Sequence, residues 1–280
     1  CERRYGAPES IRLPSGHRRY TLTEVKRLQS VSRALKLGYR PREVAAAPMD
    51  ELRDLIARRE DQSTNFSESE DLLREASRES VVSEWLDATY QYDDKRLSKE
   101  FFDEWAKRGP LKFLKECAAP FLIRVGQEWH NGNLAVSHEH FASEKLSDFL
   151  SAQWRKMNEH LHGRPFVVAS LPGDLHRLGM QMASTMITLA ERRVVYIGPQ
   201  TPIKELVAAG ERFKPAAICL SLSMTYPERE ARENCEELKL MLPEDVEVVI
   251  GGAGAPNGIP GVRTFTDLEK FFDYVRSLPN

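Results

Sequence analysis

Along the first sixty residues apolar positions recur every three to four residues, the period of a helix with one buried face. In TLTEVKRLQSVSRALKLG, Val25, Leu28, Val31 and Leu35 fall on one side, Thr21 or Thr23 can cap the start, and Gly38 ends the pattern. RPREVAAAPMDELRDLIARR then predicts a short helix, a break at Pro48 and a second helix capped by Asp50. Ahead of these, APESIRLPSGHRRY contains a Pro-Ser-Gly turn followed by His17, Arg18 and Arg19. Residues 61–71 belong to EDQSTNFSESED, which is acidic, serine-rich and too poor in apolar side chains to pack, so they are expected to form a linker.

Over residues 72–162 four helical patterns follow one another, at 73–92, 95–107, 111–131 and 136–160. Their apolar faces carry Trp85, Phe101, Trp105, Phe113, Phe121, Phe141, Leu146 and Leu150, and the breaks RGP and HNGNLA are short. Short breaks favour antiparallel neighbours, hence a four-helix bundle. Beyond Gly163 the period alternates. Apolar strands are expected at 166–170, 194–197, 216–220 and 246–250, and helices at 176–190, 203–213, 229–241 and 267–278. Apolar strands separated by helices imply a parallel sheet covered on both faces, an α/β Rossmann-like domain over residues 163–280.

Composition adds three constraints. At 280 residues, 41% of them hydrophobic, the chain suits a multidomain protein. Its formal net charge of -2 names no polyanionic partner, yet between Arg3 and Arg42 there are 11 Lys and Arg against 2 acids. That asymmetry marks either a nucleic-acid-binding face or a solvated helix surface. Cys1, Cys117, Cys219 and Cys235 form no C-x-x-C pair, against a zinc site or disulfide scaffold and in keeping with a reducing cytoplasm. No apolar stretch approaches the roughly twenty residues that span a bilayer.

Candidate chemistry concentrates in GDLHRLG, residues 173–179, where the first strand of the α/β region hands over to a helix. The dinucleotide fingerprint G-x-G-x-x-G is absent there. In its place stands Asp174-x-His176-x-x-Gly179. An exposed imidazole can give a lone pair to a metal while a carboxylate two residues away accepts the other ring N–H and raises its basicity. Gly179 lets a bulky ligand approach the helix closely. A loop histidine bonded to its neighbours is the plainer alternative. No nucleophile or acid-base pair in the sequence asks for catalytic turnover.

DLHRLG resembles the cobalamin-binding motif of methionine synthase and methylmalonyl-CoA mutase, and two further elements complete it: Ser221 in SLS after 41 residues and Gly251-Gly252 after 27 more. The resemblance implies His176 as lower cobalt ligand, Asp174 hydrogen-bonded to it, and Ser221, Gly251 and Gly252 lining a slot for the displaced nucleotide tail. Where that family shows Ser-x-Leu, this chain has Ser-x-Ser, ending at Ser223.

Trp129, followed after nine residues by Glu139-His140, resembles the adenosylcobalamin cap of light-dependent repressors of the CarH/LitR type. By that resemblance Trp129, Glu139 and His140 surround the upper adenosyl group, and His130 ligates cobalt after light breaks the cobalt-carbon bond. ERRYGAPESIRLPSGHRRYTLTEVKRLQ resembles the end of the recognition helix, the wing and the next helix of MerR-type winged helix-turn-helix proteins. It implies Arg3, Arg4 and Tyr5 on or after the recognition helix and His17, Arg18, Arg19 and Tyr20 on the wing, with residues 1–60 an N-terminally incomplete DNA-binding domain. The expected whole is a partial MerR-type winged helix-turn-helix, a four-helix bundle cap and a Rossmann-like cobalamin-binding domain. It would be a cytoplasmic, light-sensing repressor, tetrameric on a double-stranded operator in the dark. Two rivals are a corrinoid carrier subunit of a methyltransferase and a MerR-like regulator whose domain works without cobalamin or without light.

Overall fold

A computed structural model describes residues 11–12, 18–45 and 47–278, by backbone alone at residues 11, 12, 18, 19, 22 and 58–77. The chain divides into two compact units, residues 1–77 and 78–280. In the first, strands β1 (Ile11–Arg12) and β2 (Arg18–Arg19) pair antiparallel. Helices α1 (Leu22–Lys36) and α2 (Pro41–Val44) follow. Thr21 caps α1 by accepting from the Glu24 amide at 3.2 Å. A small core of Ala34, Val44, Ala47, Leu52 and Ile56 holds this unit.

Helix α3 runs from Met49 to Tyr90. The expected linker at 61–71 is therefore helical. That stretch contains neither Pro nor Gly, and a solvated polar sequence without breakers keeps helical geometry even where no apolar stripe demands it.

In the second unit the C-terminal part of α3 packs with α4 (Asp94–Arg108), α5 (Pro110–Lys112), a π-helical turn over Phe113–Ala118, α6 (Ala119–His130) and α7 (Val136–Asn158). Trp85 lies at the centre, its ring 4.6 Å from that of Phe101 and 5.3 Å from that of Phe121, both edge to face. The sequence pattern predicts one helix over 111–131. The π-turn interrupts it for a local reason: Pro120 has no N–H to give the carbonyl four residues back, and its ring crowds that carbonyl. The Ala119 amide reaches back to Leu114 O, five residues away.

The α/β region contains β3 (Phe166–Ala169), α8 (Leu178–Leu189), β4 (Val194–Gly198), α9 (Ile203–Phe213), β5 (Ala217–Ser221), α10 (Glu228–Met241), β6 (Glu247–Gly251), β7 (Val262–Phe265) and α11 (Leu268–Ser277). All strands are parallel, in the order β4-β3-β5-β6-β7. Strand β7 was not expected; it is four residues long with mixed polarity, which gives little periodic signal. Alternate residues divide the core. Phe166, Val168, Ala217, Cys219 and Val249 face the bundle, α8 and α11, whereas Val167, Ala169, Ile218, Leu220, Val248 and Ile250 face α9 and α10.

Bundle and sheet share one continuous core through α7 and α8. Trp154 on α7 donates its indole N–H to Gln181 Oε1 at 2.5 Å and stacks on Tyr196. Asn158 makes a reciprocal pair with Val194, donating to its carbonyl at 3.0 Å and accepting from its amide at 2.7 Å. The bundle is thereby fixed beside the sheet at the end remote from the C-terminal strand edge. Among the described residues no helix is long and apolar enough to cross a membrane.

Candidate functional site

The chain reverses direction in the sheet between β3 and β5, which lie side by side while their crossovers lead to opposite sides. Such a switch point leaves a crevice outside the carboxyl ends of the strands. The 173–179 loop follows β3 and the 222–226 loop follows β5, so both open on that crevice.

Asp174 is fully buried and its carboxylate takes three N–H groups. Oδ1 accepts from His176 N at 3.1 Å and pairs with His176 Nδ1 at 2.9 Å, and Oδ2 accepts from Ser223 N at 2.8 Å. The loop is held again from behind: Ser170 Oγ donates to Asp174 O at 2.6 Å and accepts from Gln200 N at 3.0 Å. A carboxylate beside Nδ1 keeps the proton on that nitrogen, which leaves the Nε2 lone pair for a ligand. The His176 side chain is 62% exposed against 0% for Asp174. A buried, fully bonded acid thus presents an open imidazole.

That imidazole lines a cavity of about 830 Å³ between the sheet and the bundle. Gly179, Ser221, Gly251 and Gly252 line it as well, as do Ala119, Leu122 and Ile123 of α6. The glycines are there for space. A methyl group on Gly179 would collide with Ser221 Oγ, and one on Gly252, at φ +103°, would strike Leu222 O. Lys115, on the π-turn, bonds Glu269 of α11 at 2.5 Å, and both line the cavity. The Glu269 carboxylate, hydrogen-bonded to it, raises the Lys115 pKa. Met224, 79% exposed, adds apolar surface to the cavity wall, and Leu175, next to His176 in the loop, is 65% exposed.

The structure therefore brings together His176, Asp174, Gly179, Ser221, Gly251 and Gly252. It does not bring Trp129, His130, Glu139 and His140 to the cavity wall. Trp129 and His130 stand seven residues, two helical turns, beyond Leu122 and Ile123 on α6 and so continue the same face. Trp129 is 49% exposed. Glu139 and His140 pair with each other at 2.6 Å on the first turn of α7, where Ser143 Oγ also donates to Glu139 at 2.6 Å. His138 instead stacks on Tyr92. Arg3, Arg4, Tyr5 and His17 lie outside the described residues; Arg18 and Arg19 form β2, and Tyr20 after them is exposed.

Sequence reasoning passed over Lys115, Glu269 and the Ser223 amide. The amide could not have been found from residue type, since any residue except proline supplies one. A corrin brings four equatorial nitrogens to its cobalt, so a single imidazole suffices as protein ligand. The open Nε2, the glycine-lined slot and the apolar roof fit such a group.

Two families described as B12 binding domain match the chain, one over residues 164–257 and one over residues 84–152. The HTH-type transcriptional repressor CarH of Myxococcus xanthus is 30% identical over 260 residues, covering 91% of this chain and 83% of that protein. Trimethylamine corrinoid protein 1 of Methanosarcina acetivorans is 25% identical, covering 64% of this chain and 85% of its own. The structure of the Methanosarcina barkeri monomethylamine corrinoid protein has the same fold over 71% of this chain and 98% of its own, with a TM-score of 0.58 at 14% identity. The bundle and sheet are thus common to both kinds of relative, and the match to the repressor extends further along the chain. The chain binds cobalamin and belongs to the family of the HTH-type transcriptional repressor CarH.

Proposed function

We propose that this protein is a light-responsive repressor that holds adenosylcobalamin between bundle and sheet and binds double-stranded operator DNA in the dark. The observation that carries the reading is His176: an exposed imidazole, backed by buried Asp174, that opens into an apolar cavity roofed by the bundle. Adenosylcobalamin supplies a cobalt-carbon bond that visible light breaks. His176 would hold the cobalt through its Nε2 lone pair, with Asp174 fixing the ring's tautomer and direction. Ser221, Gly251 and Gly252 line the slot for the nucleotide tail, and Gly179 keeps that slot open. Trp129, Glu139 and His140 would shelter the adenosyl group, and His130 would supply a second imidazole to the cobalt in the illuminated state.

These side chains have partners in the dark that light removes, which gives the bundle two states of different energy. Arg3, Arg4 and Tyr5 at the recognition helix and His17, Arg18, Arg19 and Tyr20 on the wing contact DNA, in a tetramer that assembles in the dark. The domain division 1–60, 72–162 and 163–280 follows these roles, with 61–71 between the first two.

A corrinoid carrier is the second reading, and the 25% relative favours it over the 64% of the chain that it covers. An electrophoretic shift separates them. Protein loaded with adenosylcobalamin in darkness should retard a duplex selected from random sequence, and illumination should abolish the retardation. A loaded protein that leaves DNA unshifted in the dark would favour the carrier.

A further inference from the structure

Exposure singles out one sulfur on the cavity wall. Of the seven methionines, Met180, Met182 and Met186 are buried, Met49 and Met157 are partly buried, and Met224 and Met241 are exposed. Met241 ends α10 and does not line the cavity, whereas Met224 does. The Tyr226 amide donates to Ser223 O at 3.1 Å, closing a turn with Met224 and Thr225 at its tip. Both ends of that turn are tied to the loop that carries His176. The Ser223 amide donates to Asp174 Oδ2 at 2.8 Å, and the Tyr226 hydroxyl donates to Pro172 O at 3.0 Å. Met224 is thus held by its backbone beside the imidazole loop while its thioether stays open to water. The thiols among the described residues do not compete for an oxidant. Cys117, Cys219 and Cys235 are buried, and burial raises each thiol pKa, to about 11 for Cys117 and to about 12 for Cys235. None therefore supplies the thiolate on which thiol oxidation depends. A thioether has no proton to lose, so its reactivity follows exposure.

Resting on the cobalamin reading of the cavity, we propose that Met224 is an oxidation site through which a hydroperoxide controls loading of the corrinoid. The sulfur lone pair attacks the terminal peroxide oxygen, an S–O bond forms as the O–O bond breaks, and the departing oxygen takes up a proton and leaves as water or an alcohol. Sulfur is oxidised from thioether to sulfoxide, and the peroxide is reduced by the same two electrons. The product side chain is polar. Filling the cavity strips water from its new oxygen, and Ala119, Leu122 and Ile123 of the roof offer no donor side chain in exchange. The neighbouring hydroxyls of Ser223 and Thr225 already bond each other at 3.1 Å. The dependence runs both ways: a bound corrinoid covers the sulfur, so the unloaded protein is the form that oxidises.

The test treats the whole chain with hydrogen peroxide in darkness, unloaded and loaded with adenosylcobalamin, and reads each methionine by peptide mass mapping. Without ligand, Met224 and Met241 should both gain one oxygen. With ligand, oxidation of Met224 should slow severalfold while that of Met241 does not. Oxidised protein, freed of peroxide and titrated with adenosylcobalamin by absorbance, should bind about tenfold more weakly than untreated protein. Treated and untreated Met224→Leu should bind alike, whatever the affinity of that variant relative to the parent. Met224→Gln, polar and of similar length, should reproduce the loss without peroxide. Equal oxidation of Met224 in loaded and unloaded protein overturns the inference. So does unchanged affinity once Met224 has gained its oxygen, or a treated Met224→Leu that weakens as much as the parent. An untreated parent that binds no adenosylcobalamin would instead remove the cobalamin reading, and this inference with it.

Discussion

Asp174 and His176 work as one unit, and the physics of the pair fixes what each substitution should do. Asp174 meets three N–H groups while fully buried, so Asp174→Ala strands the Ser223 amide and loosens the imidazole. Cobalamin affinity should fall by about 10- to 100-fold, the usual effect of losing a carboxylate behind a metal-ligating histidine, measurable by equilibrium titration. For His176→Ala, the paramagnetic resonance spectrum of reduced cobalt should lose nitrogen splitting that responds to 15N-histidine in the parent protein. A variant spectrum identical to the parent's would assign the lower ligand elsewhere. The Asp-x-His-x-x-Gly pattern is legible in the sequence because a carboxylate two residues from an imidazole pairs with it locally, as Asp174 and His176 do. Gly179 is legible for a related reason, since the motif places it where Ser221 leaves no room for a side chain. The upper-face residues are harder. Trp129 and His130 share the face of Leu122 and Ile123, but helical spacing cannot say how far along the roof a ligand reaches.

Elements show where periodicity suffices. Helix α9 falls on the expected 203–213, β3 ends one residue before the expected 166–170 does, and β5 is shifted by one residue from the expected 216–220, because buried parallel strands are continuous apolar runs. Period failed where it carries no information: in the polar helical stretch at 61–71, in the four-residue β7, and at the π-turn, whose cause is the single residue Pro120. The joint between α7 and α8 is likewise a matter of partners. Trp154 is 1% exposed and gives its indole N–H to Gln181, itself 1% exposed. Gln181→Leu leaves that N–H buried without an acceptor and should cost about 1–3 kcal/mol in denaturant unfolding. Unchanged stability would mean that the Trp154 to Gln181 bond adds nothing to the hold that apolar contact and the Asn158 to Val194 pair already provide. Breaking the Lys115 to Glu269 bridge should have a smaller effect on stability, since both side chains are about half exposed.

At the scale of the whole molecule, one open imidazole beside the sheet and a roof on the bundle make occupancy of the cavity a contact between two parts of a single unit. A ligand shifts an equilibrium only by binding one state better than the other, so the proposed light response requires the chromophore to be held differently before and after illumination. On the proposed reading the basic N-terminal segment, 11 Lys and Arg against 2 acids between Arg3 and Arg42, supplies the charge through which such a change would reach DNA. The most direct measurement is size-exclusion chromatography with inline absorbance on protein mixed with adenosylcobalamin, run once in darkness and once after green light. The account predicts that corrinoid absorbance travels with the protein in a large dark species and with a smaller one after illumination. Corrinoid absorbance eluting apart from the protein in darkness would contradict it.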